Sequence, residues 1–195
     1  MAMELRHDEL RQDQNYTYEE WCNLDTDKRT ELIDGQIYMM ADPTSRHQEV
    51  LSELFGQLWS FLRDKPCRVY IAPFAVRMYS FKDTAFEPEI VILCDPSKRR
   101  KRGCEGAPDM VVEILSPSTE RNDRVLKYKE YMAAGVKEYW IVHPDDNYVT
   151  ANRLIDGKYI SETYFETDKA PVLILPGCEI DLTVVFKDLF KAPNN

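Results

Sequence analysis

The chain has no run of apolar residues close to the ~20 that a helix needs to cross a bilayer. Its first residues are polar and charged, where a secretion signal would carry an apolar stretch. Cys-x-x-Cys is also missing, and the five cysteines are an odd, scattered set, which argues against a zinc ribbon or a disulfide scaffold. We therefore expect a soluble, cytoplasmic protein without a membrane segment, whose cysteines are reduced thiols.

Glycine-rich phosphate loops are absent as well. The sequence contains neither Gly-x-Gly-x-x-Gly nor a loop ending in Gly-Lys-Ser/Thr, so a nucleotide-binding α/β protein has little support. With 195 residues, 44% of them apolar, the chain is long enough for one domain with a substantial core. We expect a single domain over residues 16–187, between a loose polar arm (residues 1–15) and a C-terminal tail (residues 188–195).

Basic residues are outnumbered, since 25 Lys and Arg stand against 34 Asp and Glu, a net charge of −9. Such a surface repels polyanions at long range and works against loose nucleic-acid binding. It still allows an enzyme whose acids bind a metal ion while a local basic patch holds the substrate. One uninterrupted cationic run is interpreted either as a solvated loop or as a phosphate-contacting loop: Lys98, Arg99, Arg100, Lys101 and Arg102.

Turn and capping residues divide the first third of the chain. A capping box at Thr17 predicts a short helix over residues 18–24. The pair Asp34-Gly35 between two apolar stretches predicts a tight hairpin. Apolar residues spaced three and four apart predict a long amphipathic helix over residues 46–63, with a second capping box at Ser45.

Strand-like segments follow. Residues 67–78 are rich in β-branched and aromatic side chains. Residues 89–94, 109–115 and 139–142 are apolar on both alternating faces, which is typical of strands covered by layers on both sides. A helix predicted over residues 122–134 separates the last two of these strands, so we expect a parallel crossover.

The last third reads as strands again. Residues 148–154 and 158–165 flank Asp156-Gly157, a second hairpin signal. Residues 172–175 and 180–186 are further apolar runs, which we interpret as strands. The predicted fold is a mixed α/β architecture with a central sheet flanked by helices and a β-rich C-terminal portion.

Two glutamates interrupt the apolar strands. Glu113 lies in the middle of Met-Val-Val-Glu-Ile-Leu, and Glu89 opens Glu-Ile-Val-Ile-Leu. Because an unpaired buried carboxylate is costly, we expect a metal ion, a lysine or a partly solvated cleft near Glu113. Lys127 and Tyr131 share a face of the following helix, and a crossover helix packs back over its strand. Lys127 is therefore a candidate partner of Glu113; the alternative is an ordinary solvated lysine.

Two carboxylates and a lysine form a set suited to phosphodiester hydrolysis. Mg²⁺ prefers hard oxygen ligands, takes one or two carboxylates and keeps several waters. Such an ion lowers the pKa of a bound water, and a lysine can stabilise the developing charge or position the attacking water. Acids and lysines are abundant in this chain, so these residue types alone do not decide the function.

Several stretches resemble a known family over residues 16 to 185. They are Tyr18-Glu19-Glu20-Trp21, Glu31-Leu32-Ile33-Asp34-Gly35, Arg46-His47-Gln48, Glu87-Pro88-Glu89-Ile90, the run Gly106-Ala107-Pro108-Asp109-Met110-Val111-Val112-Glu113-Ile114-Leu115-Ser116-Pro117-Ser118-Thr119, Asp123-Arg124, Lys127, Tyr131, Gly135-Val136 and Glu138-Tyr139-Trp140-Ile141-Val142. The chain thereby resembles the Uma-type family of bacterial restriction endonucleases, a branch of the PD-(D/E)xK nuclease superfamily. The resemblance implies a restriction-endonuclease-like fold.

The resemblance also implies roles for particular residues. The family's first acid falls on Glu89 and its second on Glu113, with the Ile114 carbonyl as a further metal ligand. The first acid is a glutamate in place of the family's aspartate, one methylene longer. Leu115 occupies the superfamily's usual lysine position, and the resemblance implies that the lysine comes from the following helix, which matches Lys127.

Other candidates keep two interpretations each. Glu31 is either an extra metal-binding acid or a carboxylate that fixes the neighbouring hairpin. His47 either contacts phosphate or water, or makes a hydrogen bond at the helix start. We interpret Tyr131 as a packing residue, and Trp59 and Trp140 as core residues.

Two function hypotheses result. The first is a Mg²⁺-dependent (or Mn²⁺-dependent) endonuclease acting on nucleic acid, expected to be double-stranded DNA, with residues 98–102 as a DNA contact and a homodimer to cut both strands. The second is a catalytically inactive member that serves as a binding or interaction module. The glutamate in place of aspartate, the charge of −9 and the lack of an added DNA-recognition motif favour the second.

Overall fold

The computed structural model describes residues 14–78, 83–116 and 122–187. The predicted C-terminal tail and nearly all of the predicted N-terminal arm lie outside the described residues, so the domain limits stay predictions. Pro117, Ser118 and Thr119 of the matching stretch, and the side chains of Asp123 and Arg124, also lie outside this description.

Short elements alternate along the chain. The helices are α1 (Tyr18–Cys22), α2 (Ser45–Leu62), α3 (Tyr128–Ala134) and α4 (Leu182–Val185), and a π-helical turn, Asn122–Lys127, leads into α3. The strands are β1 (Thr30–Ile33), β2 (Gln36–Met39), β3 (Arg68–Ile71), β4 (Ala75–Met78), β5 (Thr84–Phe86), β6 (Ile90–Leu93), β7 (Gly103–Glu105), β8 (Met110–Ile114), β9 (Glu138–His143), β10 (Tyr148–Ile155), β11 (Lys158–Phe165), β12 (Lys169–Pro171) and β13 (Glu179–Asp181).

The central sheet is mixed. Within the described residues it has six strands in the order β11-β10-β9-β8-β6-β3. Strands β8 and β9 are parallel, and β6 runs antiparallel to β8. Every residue of β6, β8 and β9 is buried, as their two-sided apolar pattern predicts. The predicted parallel crossover through a helix is confirmed: the π-helical turn and α3 connect β8 to β9, and α3 ends at Gly135 with a left-handed φ of 90°.

A second sheet was not expected. In the described part of the chain it has five strands in the order β2-β1-β5-β4-β7. Its strands β5 and β7 are three residues long, too short for an apolar period to stand out in the sequence. Gly103 opens β7 where the backbones nearly touch, since a Cβ there would lie 1.8 Å from the Ala75 carbonyl oxygen.

The first helices and the hairpin are confirmed with small shifts. Thr17 and Glu20 form the capping box of α1. The hairpin between β1 and β2 turns at Asp34 and Gly35, whose φ angles of 52° and 79° suit these residues. Helix α2 begins one residue earlier than predicted, because Thr44, and not Ser45, accepts the capping hydrogen bond.

The core prediction is right for Trp140 and wrong for Trp59. Trp140 is 1% exposed, whereas Trp59 is 48% exposed. The buried stripe of α2 runs through Leu54 and Leu58 and leaves Trp59 at its border. The Trp59 ring stacks on Phe55 at a centroid distance of 5.9 Å, so it packs along the helix surface.

Two strand predictions near the C-terminus are wrong. Residues 172–175 form turns, and the run 180–186 is divided between β13 and α4. Asp181 ends the strand and starts the helix, because its side chain accepts a hydrogen bond from the Thr183 N–H. Most apolar side chains of both runs lie in the core, where they pack without a strand conformation. Leu173 and Val184 are exposed.

The expectation that every cysteine is a reduced thiol is wrong for one pair. Cys67 and Cys94 form a disulfide, while Cys22, Cys104 and Cys178 are free. Strands β3 and β6 are antiparallel, and Arg68 faces Leu93, so the next residues outward, Cys67 and Cys94, lie opposite each other. A separation of 27 residues concealed this neighbourhood in the sequence.

Among residues 14–78, 83–116 and 122–187, no helix has both the length and the apolar character of a transmembrane span.

Candidate active site

The two acids of the apolar strands meet across a pair of antiparallel strands. Glu113 lies near the carboxyl end of β8, and Glu89 immediately precedes β6. Ile90 pairs with Val112, so the register continued by one residue places Glu89 opposite Glu113. The two residues are 5% and 2% exposed. The sheet therefore holds two carboxylates next to each other and away from bulk solvent.

Glu113 has the cationic neighbour that its burial requires. The Lys127 Nζ lies 3.0 Å from Glu113 Oε1, and Lys127 is 1% exposed. Tyr131 donates a hydrogen bond of 3.1 Å to the same oxygen, so its role exceeds packing. Burial, together with the nearby Glu113 carboxylate, raises the pKa of Tyr131 well above its ordinary value and keeps the hydroxyl protonated. The crossover helix thus brings a lysine and a tyrosine onto one carboxylate.

Glu31 joins this cluster and does not fix the hairpin turn. Its Oε1 lies 2.8 Å from Lys127 Nζ and accepts a hydrogen bond of 3.1 Å from the Glu87 N–H. The turn is held instead by Thr84, whose hydroxyl accepts from the Asp34 N–H at 3.1 Å. Of the two interpretations of Glu31, the structure supports the one that places it with the other acids.

Glu89 is contacted by an arginine and a histidine. The Arg29 Nη1 lies 3.3 Å from Glu89 Oε1, and its Nη2 donates to the Glu87 carbonyl at 2.8 Å. His47 Nε2 lies 3.7 Å from the same Glu89 oxygen, and its backbone N–H donates to Thr44 at the helix start. The structure thus shows the hydrogen bond at the helix start, and a contact of the ring with phosphate or water stays a prediction. Arg29 was not foreseen, because it lies in a charged loop with no pattern that distinguishes it.

Several of these groups line one small cavity of about 20 Å³. Its lining includes Arg29, His47, Glu89, Glu113, Ile114, Ser116 and Lys127. A space of this size holds a single water or a comparable ion. The structure therefore brings the main sequence-predicted residues to one place; their catalytic and metal-binding roles stay predictions.

Negative charge is in excess around the cavity. Two permanent cations, Arg29 and Lys127, are in contact with a larger set of carboxylates: Glu31, Glu87, Glu89 and Glu113. Burial raises the pKa of Glu87 above its ordinary value, and the neighbouring acids add to this effect while Arg29 opposes it. A divalent cation would compensate the remaining charge, and an all-oxygen donor set is the kind that Mg²⁺ prefers.

The described part of the chain contains no group of three or more His, Cys, Asp or Glu side chains arranged as a ready metal cage. Mg²⁺ does not require one, because it keeps several waters and takes only one or two carboxylates. The carboxylates of Glu89 and Glu113 fit that requirement, and Ile114, which follows Glu113 in sequence, lines the same cavity.

The cationic run lies outside this cavity. Lys98 donates to the Ala107 carbonyl at 2.7 Å, and Arg100 forms an ion pair of 2.8 Å with Glu105. Residues 99–102 instead line a second, wider cleft of about 840 Å³. Arg29 lines both the cleft and the small cavity, so the two are neighbours.

Comparison with known proteins identifies the family. The sequence model of Uma2, described as "Putative restriction endonuclease", matches residues 16–184. The chain belongs to the Uma2 family. A Synechocystis relative, "Uncharacterized protein slr1290", is 29% identical to this Uma2 chain over 114 residues, which are 58% of the chain and 59% of the relative. The chain thus spans about three-fifths of the length of the curated relative it matches.

A solved structure shows the same fold. The protein is described as "a putative nuclease belonging to DUF820" from Anabaena variabilis, and it superimposes on this Uma2 chain with a TM-score of 0.72 at 20% identity. The match covers 87% of this chain and 97% of that protein. The predicted family and the predicted mixed α/β, nuclease-like fold are both confirmed.

Proposed function

We propose that this Uma2 chain is a metal-dependent endonuclease of the PD-(D/E)xK type that hydrolyses phosphodiester bonds of DNA. One observation carries the proposal. The buried carboxylates of Glu89 and Glu113 lie opposite each other at one small cavity, with the ammonium of Lys127 on Glu113. Membership of a family described as restriction endonucleases and the nuclease-like fold support this function.

Glu89, Glu113 and the Ile114 carbonyl would hold Mg²⁺, or Mn²⁺ in its place, with Glu31 as a further acid beside them. The bound ion would polarise the phosphodiester and lower the pKa of a water molecule. Lys127 then orients the attacking water or stabilises charge on the phosphate. It replaces the superfamily's usual lysine, whose position is occupied by Leu115 in this chain. Glu31 and Glu113 fix the ammonium between them.

The remaining residues bind and orient the substrate. Arg29 and His47 line the cavity and suit contacts with phosphate oxygens. Residues 99–102 of the cationic run add positive charge along the neighbouring cleft, while Lys98 contacts the Ala107 carbonyl. We propose double-stranded DNA as the substrate and a homodimer as the form that cuts both strands.

The cytoplasm is the proposed compartment, because the proposed substrate is found there. Cellular thiols keep most cysteines reduced in that compartment. The Cys67–Cys94 disulfide is then a link that reductants can open.

One observation favours the second candidate, a catalytically inactive binding module. Lys127 lies between Glu31 and Glu113, and Arg29 contacts Glu89, so salt bridges already engage every acid proposed to bind the ion. The cavity between them measures about 20 Å³. An inactive member would keep this network as a structural ion-pair cluster.

Cleavage of supercoiled plasmid separates the two candidates. The purified protein should nick the plasmid with Mg²⁺ or Mn²⁺ and stop when EDTA is added. Glu113→Ala should lose this activity while its circular dichroism spectrum is unchanged, and Glu179→Ala, which alters an exposed acid far along the chain, should keep it. Cleavage by Glu113→Ala at the rate of the unaltered protein would remove the proposed centre. No cleavage by a folded protein under any metal condition would favour the binding module.

A further inference from the structure

The wide cleft beside the cavity carries positive charge in an acidic protein. Its lining contains six cationic residues, Lys28, Arg29, Arg99, Arg100, Lys101 and Arg102, and two acidic ones, Asp27 and Glu87, a local balance of +4. The whole chain has a charge of −9. Positive charge collected in one concave surface attracts an anionic ligand, and it does so against the charge of the rest of the molecule.

Three of these cations are not used by the fold. Among the described residues, Lys28, Arg99 and Lys101 form no salt bridge, whereas Arg29 contacts Glu87 at 3.6 Å and Arg100 contacts Glu105 at 2.8 Å. Cations without a carboxylate partner are free to contact phosphate oxygens. The cleft therefore offers separate anchoring points along one path.

An aromatic platform lies in the same cleft. Tyr70 is half-buried, and its ring stacks on Phe74 with a centroid distance of 4.2 Å and an angle of 17° between the rings. Phe74 is buried and packs against the Tyr70 ring. Both residues line the cleft. A partly exposed ring that is fixed by a second ring suits stacking of a base, and base stacking requires a base that is not paired in a duplex.

The path leads to the candidate active site. Arg29 lines both spaces, Glu87 of the cleft lies two residues before Glu89 of the cavity, and Thr30 of the cleft precedes Glu31. A strand held along the cleft would have its next phosphates at the cavity.

We propose that the cleft binds one strand of nucleic acid in a segment that is unpaired. Phosphates contact Lys28, Arg99 and Lys101, and one base stacks on Tyr70. The inference rests on the proposed function for the class of ligand, and it adds that the preferred substrate carries a single-stranded segment beside the scissile phosphate. A duplex that only lies across the cationic rim is the competing outcome.

Binding in EDTA tests this inference without cleavage. Fluorescence anisotropy with a labelled oligothymidylate and with a duplex of the same length should show tighter binding of the single strand. Tyr70→Leu, which keeps an apolar contact with Phe74 but removes the ring, should weaken oligothymidylate binding about tenfold. Tyr70→Phe should restore it, and Phe165→Ala, at an exposed ring on β11, should change nothing. Equal affinity of Tyr70→Leu and the unaltered protein for the single strand would overturn the stacking role.

The salt dependence tests the phosphate contacts. For single strands each contact contributes about −0.7 to the slope of log K against log salt, so Arg99→Gln/Lys101→Gln should make the slope shallower by about 1.4. The double variant Lys158→Gln/Lys169→Gln removes two exposed cations elsewhere and should leave the slope as it was. Equal slopes for all three proteins, or no binding of oligothymidylate by the unaltered protein, would overturn the inference.

The two proposals fail in different ways. If the cleft substitutions weaken binding but the protein does not cleave DNA in Mg²⁺ or Mn²⁺, the nuclease proposal is wrong and the cleft proposal stands. If the protein cleaves DNA but the cleft substitutions change neither its affinity for oligothymidylate nor its salt slope, the cleft proposal is wrong and the nuclease proposal stands.

Discussion

The two ends of the parallel pair β8 and β9 each bury a glutamate, yet they differ in what surrounds it. At the carboxyl end of β8, Glu113 is 2% exposed and lines a cavity together with Glu89. At the amino end of β9, Glu138 is fully buried. We refer to these as the Glu113 end (Glu31, Glu89, Glu113 and Lys127) and the Glu138 end (Asp109, Lys137, Glu138 and Arg153).

Glu138 is occupied by hydrogen bonds that hold the fold. Its Oε1 accepts from Trp140 Nε1 at 2.8 Å, and its Oε2 accepts from the Ile174 N–H at 3.1 Å. Arg153 Nε lies 3.6 Å from Oε1. These contacts join the segment after β12 to the central sheet. Glu138 has a structural task, and it lines none of the cavities described above.

The contrast shows that burial of an acid does not by itself indicate chemistry. At the Glu113 end, acids from β1, β8 and the residue before β6 converge and outnumber the cations that contact them. Ligands of open α/β sheets bind at the carboxyl ends of parallel strands, and the Glu113 end is that end of β8. Convergence on a cavity with an excess of charge is what distinguishes the two glutamates.

The largest expected effect on stability separates a buried lysine from an exposed one. Lys127→Met leaves Glu31 and Glu113 buried without their cation and should lower the free energy of unfolding by about 3–5 kcal/mol. Lys137 forms an ion pair of 2.7 Å with Asp109, but its side chain is 65% exposed. Lys137→Met should therefore cost less than about 1 kcal/mol. Urea denaturation in EDTA measures both, and equal losses would contradict the difference drawn between the two ends.

The Cys67–Cys94 disulfide also distinguishes the two ends, because it links strands β3 and β6 beside the Glu138 end. Cys94 lies next to Asp109, whose side chain accepts a hydrogen bond from the Cys94 N–H at 2.7 Å. Replacing both Cys67 and Cys94 by Ser should lower the free energy of unfolding by about 3 kcal/mol.

DNA cleavage at urea concentrations too low to unfold the variant should be unchanged, since the Glu113 end does not depend on the disulfide. A dithiothreitol titration of the unaltered protein supplies the control and should reproduce the loss of stability. If the variant or the reduced protein lost cleavage while it was still fully folded, the Glu113 end and the Glu138 end would be coupled.

The smallest expected effect concerns the pH dependence of Glu138. Burial raises the pKa of Glu138 above its ordinary value, while hydrogen bonds from Trp140 and Ile174 and the charge of Arg153 oppose this. The folded protein thus binds a proton on Glu138 more tightly than the unfolded chain does. Protonated Glu138 therefore contributes to the free energy of unfolding. This contribution is fully present below the pKa of Glu138 in the unfolded chain and is lost as the pH rises through its pKa in the folded protein.

Glu138→Gln, which keeps an acceptor and cannot ionise, should gain stability relative to the unaltered protein as the pH is raised from acid to neutral. Paired urea titrations across that interval measure the difference. A difference that shrinks or changes in the opposite direction would show that ionised Glu138 stabilises the fold.

Part of the site could be predicted because a charged residue within an apolar strand is recognisable in the sequence. Glu113 lies inside such a strand, and an unpaired buried carboxylate costs so much free energy that a partner is expected. The crossover geometry made Lys127 of the next helix a candidate, and the resemblance to the Uma-type family singled it out. Glu89 is recognisable for the same reason, since it opens a second strand that is apolar on both faces. Glu138, at the start of an apolar strand, shows that this signal also marks structural acids.

The other parts depend on contacts between distant segments. Arg29 contacts Glu89, which is 60 residues away in sequence. Tyr70 became a candidate binding residue only because residues 99–102 line the same cleft in the folded chain. The same limit applies to the second sheet and to the disulfide, which result from strand pairing. Apolar runs at 172–175 and 180–186 specify burial but not strand conformation, which explains those errors.

Calorimetric titration with Mn²⁺ tests most directly the claim that the Glu113 end is a metal-dependent phosphodiesterase centre and the Glu138 end is not. The unaltered protein should bind the ion saturably, Glu113→Gln should weaken this binding at least about tenfold, and Glu138→Gln should leave it unchanged. Binding by Glu113→Gln with the affinity of the unaltered protein would contradict the account.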